Sequence, residues 1–177
     1  MIKQLIKIMI RNKRKVEEKK MLVKTRYFGE IDLTEDKIVT FEQGIMGFEE
    51  YKKYTILYDS DEEKKGNIMW FQSIEEPSLA LPVVNPLYVM SDYNPEVNEE
   101  LLKSLGEMTE ENVCILLTMT VPKDIKLTTA NLKAPLIINA DTRKGAQVVV
   151  ENTDYGVKYN VYEAIEKMKA EKEEESC

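Results

Sequence analysis

Histidine is absent from this 177-residue chain, which removes the commonest general base near neutral pH and the commonest transition-metal ligand. Catalysis would have to rest on paired carboxylates, an activated Lys or Tyr, or a cysteine with a partner. Cysteine is scarce too: only Cys114, inside the apolar run NVCILLTM, and Cys177, the last residue, occur. Two thiols so placed make neither a disulfide framework nor a metal site, and a reducing, cytoplasmic setting follows. Cys114 in a strand-like apolar run reads as an inert core residue. No stretch approaches the roughly 20 consecutive apolar residues of a membrane helix.

Carboxylates are abundant but fall in runs. Asp59, Asp61, Glu62 and Glu63 form one cluster, Glu110 and Glu111 a second, and the C-terminal acids a third. Such runs are usually solvated, and DSDEEKKGN lacks the alternating acids, central glycine and closing Glu of a calcium loop. No phosphate loop of the GxxxxGK type is present. The GIMG of EQGIMGFEEY superficially matches the GxxG clamp of RNA-binding KH domains, but its flanks are Glu42, Glu49 and Glu50, which repel phosphates. It reads as a tight turn whose glycines take positive φ while Phe41, Ile45 and Phe48 enter the core. The residues therefore point to a non-enzyme without cofactor or metal.

Charge divides the chain. Residues 1–20 hold eight Lys or Arg and two Glu, a local +6; the remainder holds 17 basic and 30 acidic residues, hence −13. An anionic body repels nucleic acid and attracts basic proteins. Ile2, Leu5, Ile6, Met9 and Ile10 recur at helical spacing with Lys3, Lys7 and Arg11 off that face, so the leader reads as a short basic amphipathic helix. Met21 opens the globular pattern by itself, so the leader is an accessory extension or a misassigned start. An RNA- or membrane-surface module acting through this extension is the alternative function.

From Met21 the apolar runs become short, β-rich and closely spaced: MLVKTRYF, IDLT, KIVTF, YTILY, IMWFQ, LALPVV, NVCILLTMTV, PLIIN and AQVVVE. Turn residues separate them, among them EEPS and TRKG. This spacing predicts a mostly β, small antiparallel β-barrel-like single domain over 21–160, with one or two short helices and a charged C-terminal helix or tail over 161–177. In NPEVNEELLKSLG, Asn94 or Asn98 is the N-cap, Leu101, Leu102 and Leu105 form a stripe, and Gly106 is the stop.

Two segments carry the candidate partner contacts. NPLYVMSDYNP sets Leu87, Tyr88 and Met90 between two Asn-Pro breaks with Asn85, Asp92 and Tyr93, an aromatic and acidic composition suited to a protein partner. LTTANLKAPLIIN interrupts two apolar runs with Thr128, Thr129, Asn131 and Pro135, which predicts a shaped connection whose polar side chains fix an irregular backbone. Glu75 and Glu76 complete the set as exposed carboxylates.

The ordered stretches TRYFGEI (25–31), VTFEQGIMGFEEYKKYTIL (39–57), FQSIEEPSLALPVVNP (71–86), LTTANLKAPLIIN (127–139) and RKGAQVVV (143–150) resemble those of FliW, the flagellar assembly factor family. Met46 departs from the proline common there, and residues 1–20 precede the usual start. The resemblance implies a barrel-like β fold and a non-enzymatic regulator. Such a protein binds flagellin in the cytoplasm and, when free of it, binds CsrA, the carbon storage regulator that represses flagellin mRNA. Direct contact with nucleic acid or membrane is not part of that role.

Overall fold

The computed structural model describes residues 20–58, 68–164 and 166. The leader helix, the cluster of Asp59, Asp61, Glu62 and Glu63, Cys177 and most of the C-terminal tail lie outside these residues; the chain is helical at 161–164.

Strands β1 (Lys20–Lys24) and β2 (Glu30–Thr34) form an antiparallel hairpin. The remaining strands are β3 (Val39–Phe41), β4 (Lys53–Leu57), β5 (Ile68–Ser73), β6 (Ala80–Val84), β7 (Val113–Thr120), β8 (Thr129–Ala130), β9 (Leu136–Asn139), β10 (Lys144–Gln147) and β11 (Tyr159–Asn160). They pair in the order β11-β8-β7-β6-β5-β4-β3-β10-β9, and a further β7–β9 ladder joins the end of that row to its middle. Seven strands, β3 to β7 with β9 and β10, thereby close into a barrel, which leaves no free edge in the ring. The pairings are antiparallel except β10 with β3, which is parallel.

Alternation along each strand divides its side chains between the two faces of the wall. Val39, Phe41, Tyr54, Phe71, Val83, Leu116, Leu136 and Ile138 point inward and fill the barrel. Three rings form the centre: Tyr54 stacks on Phe71 at 4.8 Å, and Phe41 meets Phe71 edge-on at 5.3 Å, geometries that favour aromatic quadrupoles. Val84, Leu117, Met119, Ala130 and Leu132 point outward, yet they too are buried, under Val89, Tyr93, Val150, Tyr155 and Val161. Burial on both faces explains why NVCILLTM reads as a continuous apolar run.

Gly145 lies in β10, although TRKG reads as a turn; the turn falls just before it, and Arg143 takes its positive φ of 55°. Glycine is required at 145 for space, because a Cβ there would overlap the Phe41 ring. The GIMG turn is built as the sequence implies: Gly44 and Gly47 have positive φ, and Phe41 and Ile45 are buried.

Two elements differ from expectation. Residues 99–105 wind as a 3-10 helix, capped by Asn98 Oδ1 on Glu100 N and stopped at Gly106. Three residues per turn bring Leu102 under Leu105, which packs on Ile137 and Val148, and leave Leu101 51% exposed, outside the stripe. The strand expected at AQVVVE begins earlier, at Lys144, and ends at Gln147. Beyond it Val148 and Val150 donate to Pro135 and Lys133, residues of an irregular segment that breaks the ladder.

Burial raises the Tyr54 hydroxyl and the Cys114 thiol in the barrel wall. The Tyr54 hydroxyl is pushed up to about 12, first by desolvation and then by the Glu75 charge, and the Cys114 thiol to about 11 by desolvation alone. Each stabilises the fold below its ordinary value and withdraws that contribution as pH rises toward the raised one. The unfolding free energy from urea titration should therefore decline from about pH 9 upward, and a Tyr54→Phe, Cys114→Ala variant should show a flatter decline; an unchanged slope would refute the assignment. Gly145→Ala should cost about 3 kcal/mol, and Phe41→Leu in the same chain should recover part of it by making room.

Candidate partner-binding surface

The segment LTTANLKAPLIIN folds as one edge in two pieces. β8 pairs with the end of β7, Met119 opposite Ala130, and β9 pairs with its beginning, Leu116 opposite Leu136. Leu117 and Thr118, two residues, thus face 131–135, five residues. The extra chain bulges outward and must satisfy its backbone away from the ladder. Asn131 Oδ1 does this by accepting from Lys133 N and Ala134 N, both at 3.0 Å. Its own N–H donates to Thr118 O. Leu132, 1% exposed, turns into the outer core, its N–H donating to Gly156 O and its carbonyl accepting from the Tyr93 hydroxyl at 2.9 Å. Ala134 O accepts from Gln147 Nε2. Asn131 is therefore the residue that fixes the connection; Thr128 is buried, and Thr129 begins β8.

Tyr93 was expected at the surface and is instead 8% exposed: it stacks on Tyr155 at 4.9 Å, and burial pushes its hydroxyl pKa well above the ordinary value. Asn85 caps the short 3-10 turn Pro86–Tyr88 by accepting from Leu87 N, which leaves Leu87 and Tyr88 outside. The candidate carboxylates differ in their freedom. Glu75 Oε2 accepts from Lys52 N and Lys53 N at 2.6 and 2.8 Å, tying the β5–β6 turn to β4. Glu76 accepts from the hydroxyl and N–H of Ser78, which hold its carboxyl below the usual range. Asp92 is exposed and forms no hydrogen bond among the described residues.

The fold does not assemble these residues into one site. Glu75 and Glu76 precede β6 and Asn85 follows it, so the strand holds them roughly 13 Å apart along its axis. Asp92 opens a feature that the single residues do not reveal. Between 92 and 111 stand Asp92, Glu96, Glu99, Glu100, Glu107, Glu110 and Glu111 against Lys103 alone, and all seven acids are exposed. Lys103 is bound to Glu100. The segment packs Val97, Leu102 and Leu105 on the outer side of the barrel wall and runs to the start of β7, an acidic belt along the chain. The signal was present in the sequence as local charge density, which a reading by short motifs divides into unrelated clusters.

A model of the family described as "FliW protein" matches residues 20–161. The chain belongs to the FliW family. It is 52% identical over 157 residues to the flagellar assembly factor FliW of Lachnoclostridium phytofermentans, covering 89% of this chain and all of that protein. It is 48% identical over 148 residues to that of Lachnospira eligens, covering 83% and 98% of the two chains. A crystal structure of the flagellar assembly factor FliW superposes with a TM-score of 0.73 at 32% identity, covering 80% of this chain and 97% of the other.

The stretches that mark the FliW resemblance touch one another here. Gln147, of RKGAQVVV, accepts from Met46 N of the GIMG turn at 2.9 Å and donates to Ala134 O of the bulge. Met46 supplies the N–H for this bond, which a proline at this position would lack. Gln72, 1% exposed, accepts from Arg26 N of TRYFGEI, and its amide nitrogen lies within bonding distance of Pro77 O and Leu79 O. These contacts hold the irregular connections of this chain in place. Asn131→Ala should cost about 2 kcal/mol by orphaning two N–H groups, whereas Asn131→Asp, which keeps the acceptor, should cost less than half as much in urea denaturation. Equal losses would show that the Asx turn is not what fixes the bulge.

Proposed function

We propose that this protein is a non-enzymatic regulator of flagellar assembly that works in the cytoplasm by partner exchange. It binds flagellin; when flagellin has been exported, the free protein binds CsrA and relieves its repression of flagellin mRNA. Family membership supports the flagellar role, and the acidic belt at 92–111 supports the second partner. An RNA-binding repressor such as CsrA carries basic surface for phosphates, and a belt of seven exposed carboxylates attracts such a surface while rejecting RNA itself. No helix among the described residues is long and apolar enough to cross a membrane.

Calorimetric titration of the full chain with cognate flagellin and with cognate CsrA should give saturable binding to each, and flagellin added to the CsrA complex should release CsrA. Asp92→Lys, Glu110→Lys and Glu111→Lys together should weaken CsrA binding about tenfold and reduce its salt dependence. Flagellin affinity should change much less. CsrA affinity unaffected by the triple reversal would remove the belt from the interface.

A further inference from the structure

The loop between β7 and β8, VPKDIKL at 121–127, sets exposed apolar side chains and lysines together on a hydrogen-bonded turn. Val121, Ile125 and Leu127 are 45, 62 and 62% exposed, and Ile125 and Leu127 are among the three most exposed large apolar side chains. Lys123 and Lys126, both exposed, stand among them, in a body whose net charge is −13. The loop is also built. Asp124 Oδ1 accepts from Lys126 N, Leu127 N donates to Asp124 O, and Thr128 N donates to Ile125 O. Asn160 Nδ2 donates to Lys126 O from β11. These bonds hold a 3-10 turn at Ile125–Leu127 with its apolar side chains directed to solvent. Fixing side chains there exposes apolar area at a cost, and a docking surface is the arrangement that recovers it.

We propose that loop 121–127 is the docking surface for a helical segment bearing an apolar stripe flanked by carboxylates, and that under the reading above this segment belongs to flagellin. Three aliphatic side chains meet the stripe, and Lys123 and Lys126 meet its acids. A basic partner is disfavoured at this loop and favoured at the belt. The Glu110–Glu111 end of the belt stands where β7 begins and the loop starts where β7 ends, so the eight-residue strand holds those two places about 23 Å apart along its axis. An anionic membrane is the other surface that apolar side chains and lysines suit, but the −13 body repels a bilayer plane; a helix touching only the loop avoids most of that repulsion.

The test uses the full chain with Ile125→Asp and Leu127→Asp combined, and separately with Lys123→Glu and Lys126→Glu combined, each checked for an unchanged thermal midpoint. The aspartate pair should weaken flagellin binding at least tenfold and leave CsrA binding within about twofold. The glutamate pair should weaken flagellin binding and flatten its salt dependence. Unchanged flagellin binding in both variants, or equal loss of both partners, overturns the proposal. So does wild-type protein sedimenting with phosphatidylserine–phosphatidylcholine vesicles in a manner that the aspartate pair abolishes, which assigns the loop to lipid, or a wild-type dimer that the same pair dissolves. A wild-type chain that binds no flagellin fails the functional reading itself, and the loop assignment with it.

Discussion

The amide oxygen of Asn131 holds two backbone N–H groups, and the closure of the barrel depends on the bulge it stabilises. β7 has one long edge and two strands to receive along it. β8 and β9 cannot be one continuous strand, because Leu132 must leave the ladder to enter the outer core while Leu136 re-enters it facing inward. The five-residue excursion provides that change of face, and without partners for its N–H and C=O groups it would carry a large desolvation cost. Tyr93, the 147–150 stretch through Gln147 and Val150, and Gly156 supply those partners from three separate parts of the chain.

That arrangement makes the barrel wall a middle layer. Its inner face packs three aromatic rings on one another, with Phe41 against Gly145; its outer face is covered by 86–97, by 99–105 and by the chain after β10. The covering segments are short in regular structure and depend on side-chain anchors, Asn98, Asn112 and Asn139 among them. Asn139, fully buried, accepts from Asp141 N and Thr142 N and donates to Glu107 O. Because these anchors hold the cover from beneath, its outer side is left to charge, and the acidic belt occupies a surface that needs no other chemistry to stay folded.

The fold class was legible because strand-length apolar runs separated by turn residues leave few architectures, and most of the strands lie where those runs stand. What escaped were features set by distant partners. β8 and β11, two residues each, exist because they pair with each other and with β7, not because of local propensity. Tyr93 reads as surface from its neighbours Asp92 and Asn94; its burial is decided by Tyr155, 62 positions later. Gly145 reads as a turn residue until Phe41 is placed against it. Asn131 was recognisable as a backbone organiser, since Asn beside Pro and Thr in an apolar context has few other uses, while the acids of 92–111 look like separate solvated runs until the segment that carries them is seen packed on the barrel with all seven exposed.

The parallel pairing of β3 with β10 joins Thr40 to Lys144 and Phe41 to Gly145, residues about a hundred positions apart. Loop closure over that span is entropically costly and slow relative to the hairpins that precede it. A chain emerging from the ribosome can pair β3 through β7 in turn, but it presents an open sheet with two exposed edges and a bare aromatic face until β10 has been synthesised. The ring becomes a closed object only once β10 has been made, so the chain passes through an interval in which its own edges are open to wrong pairing.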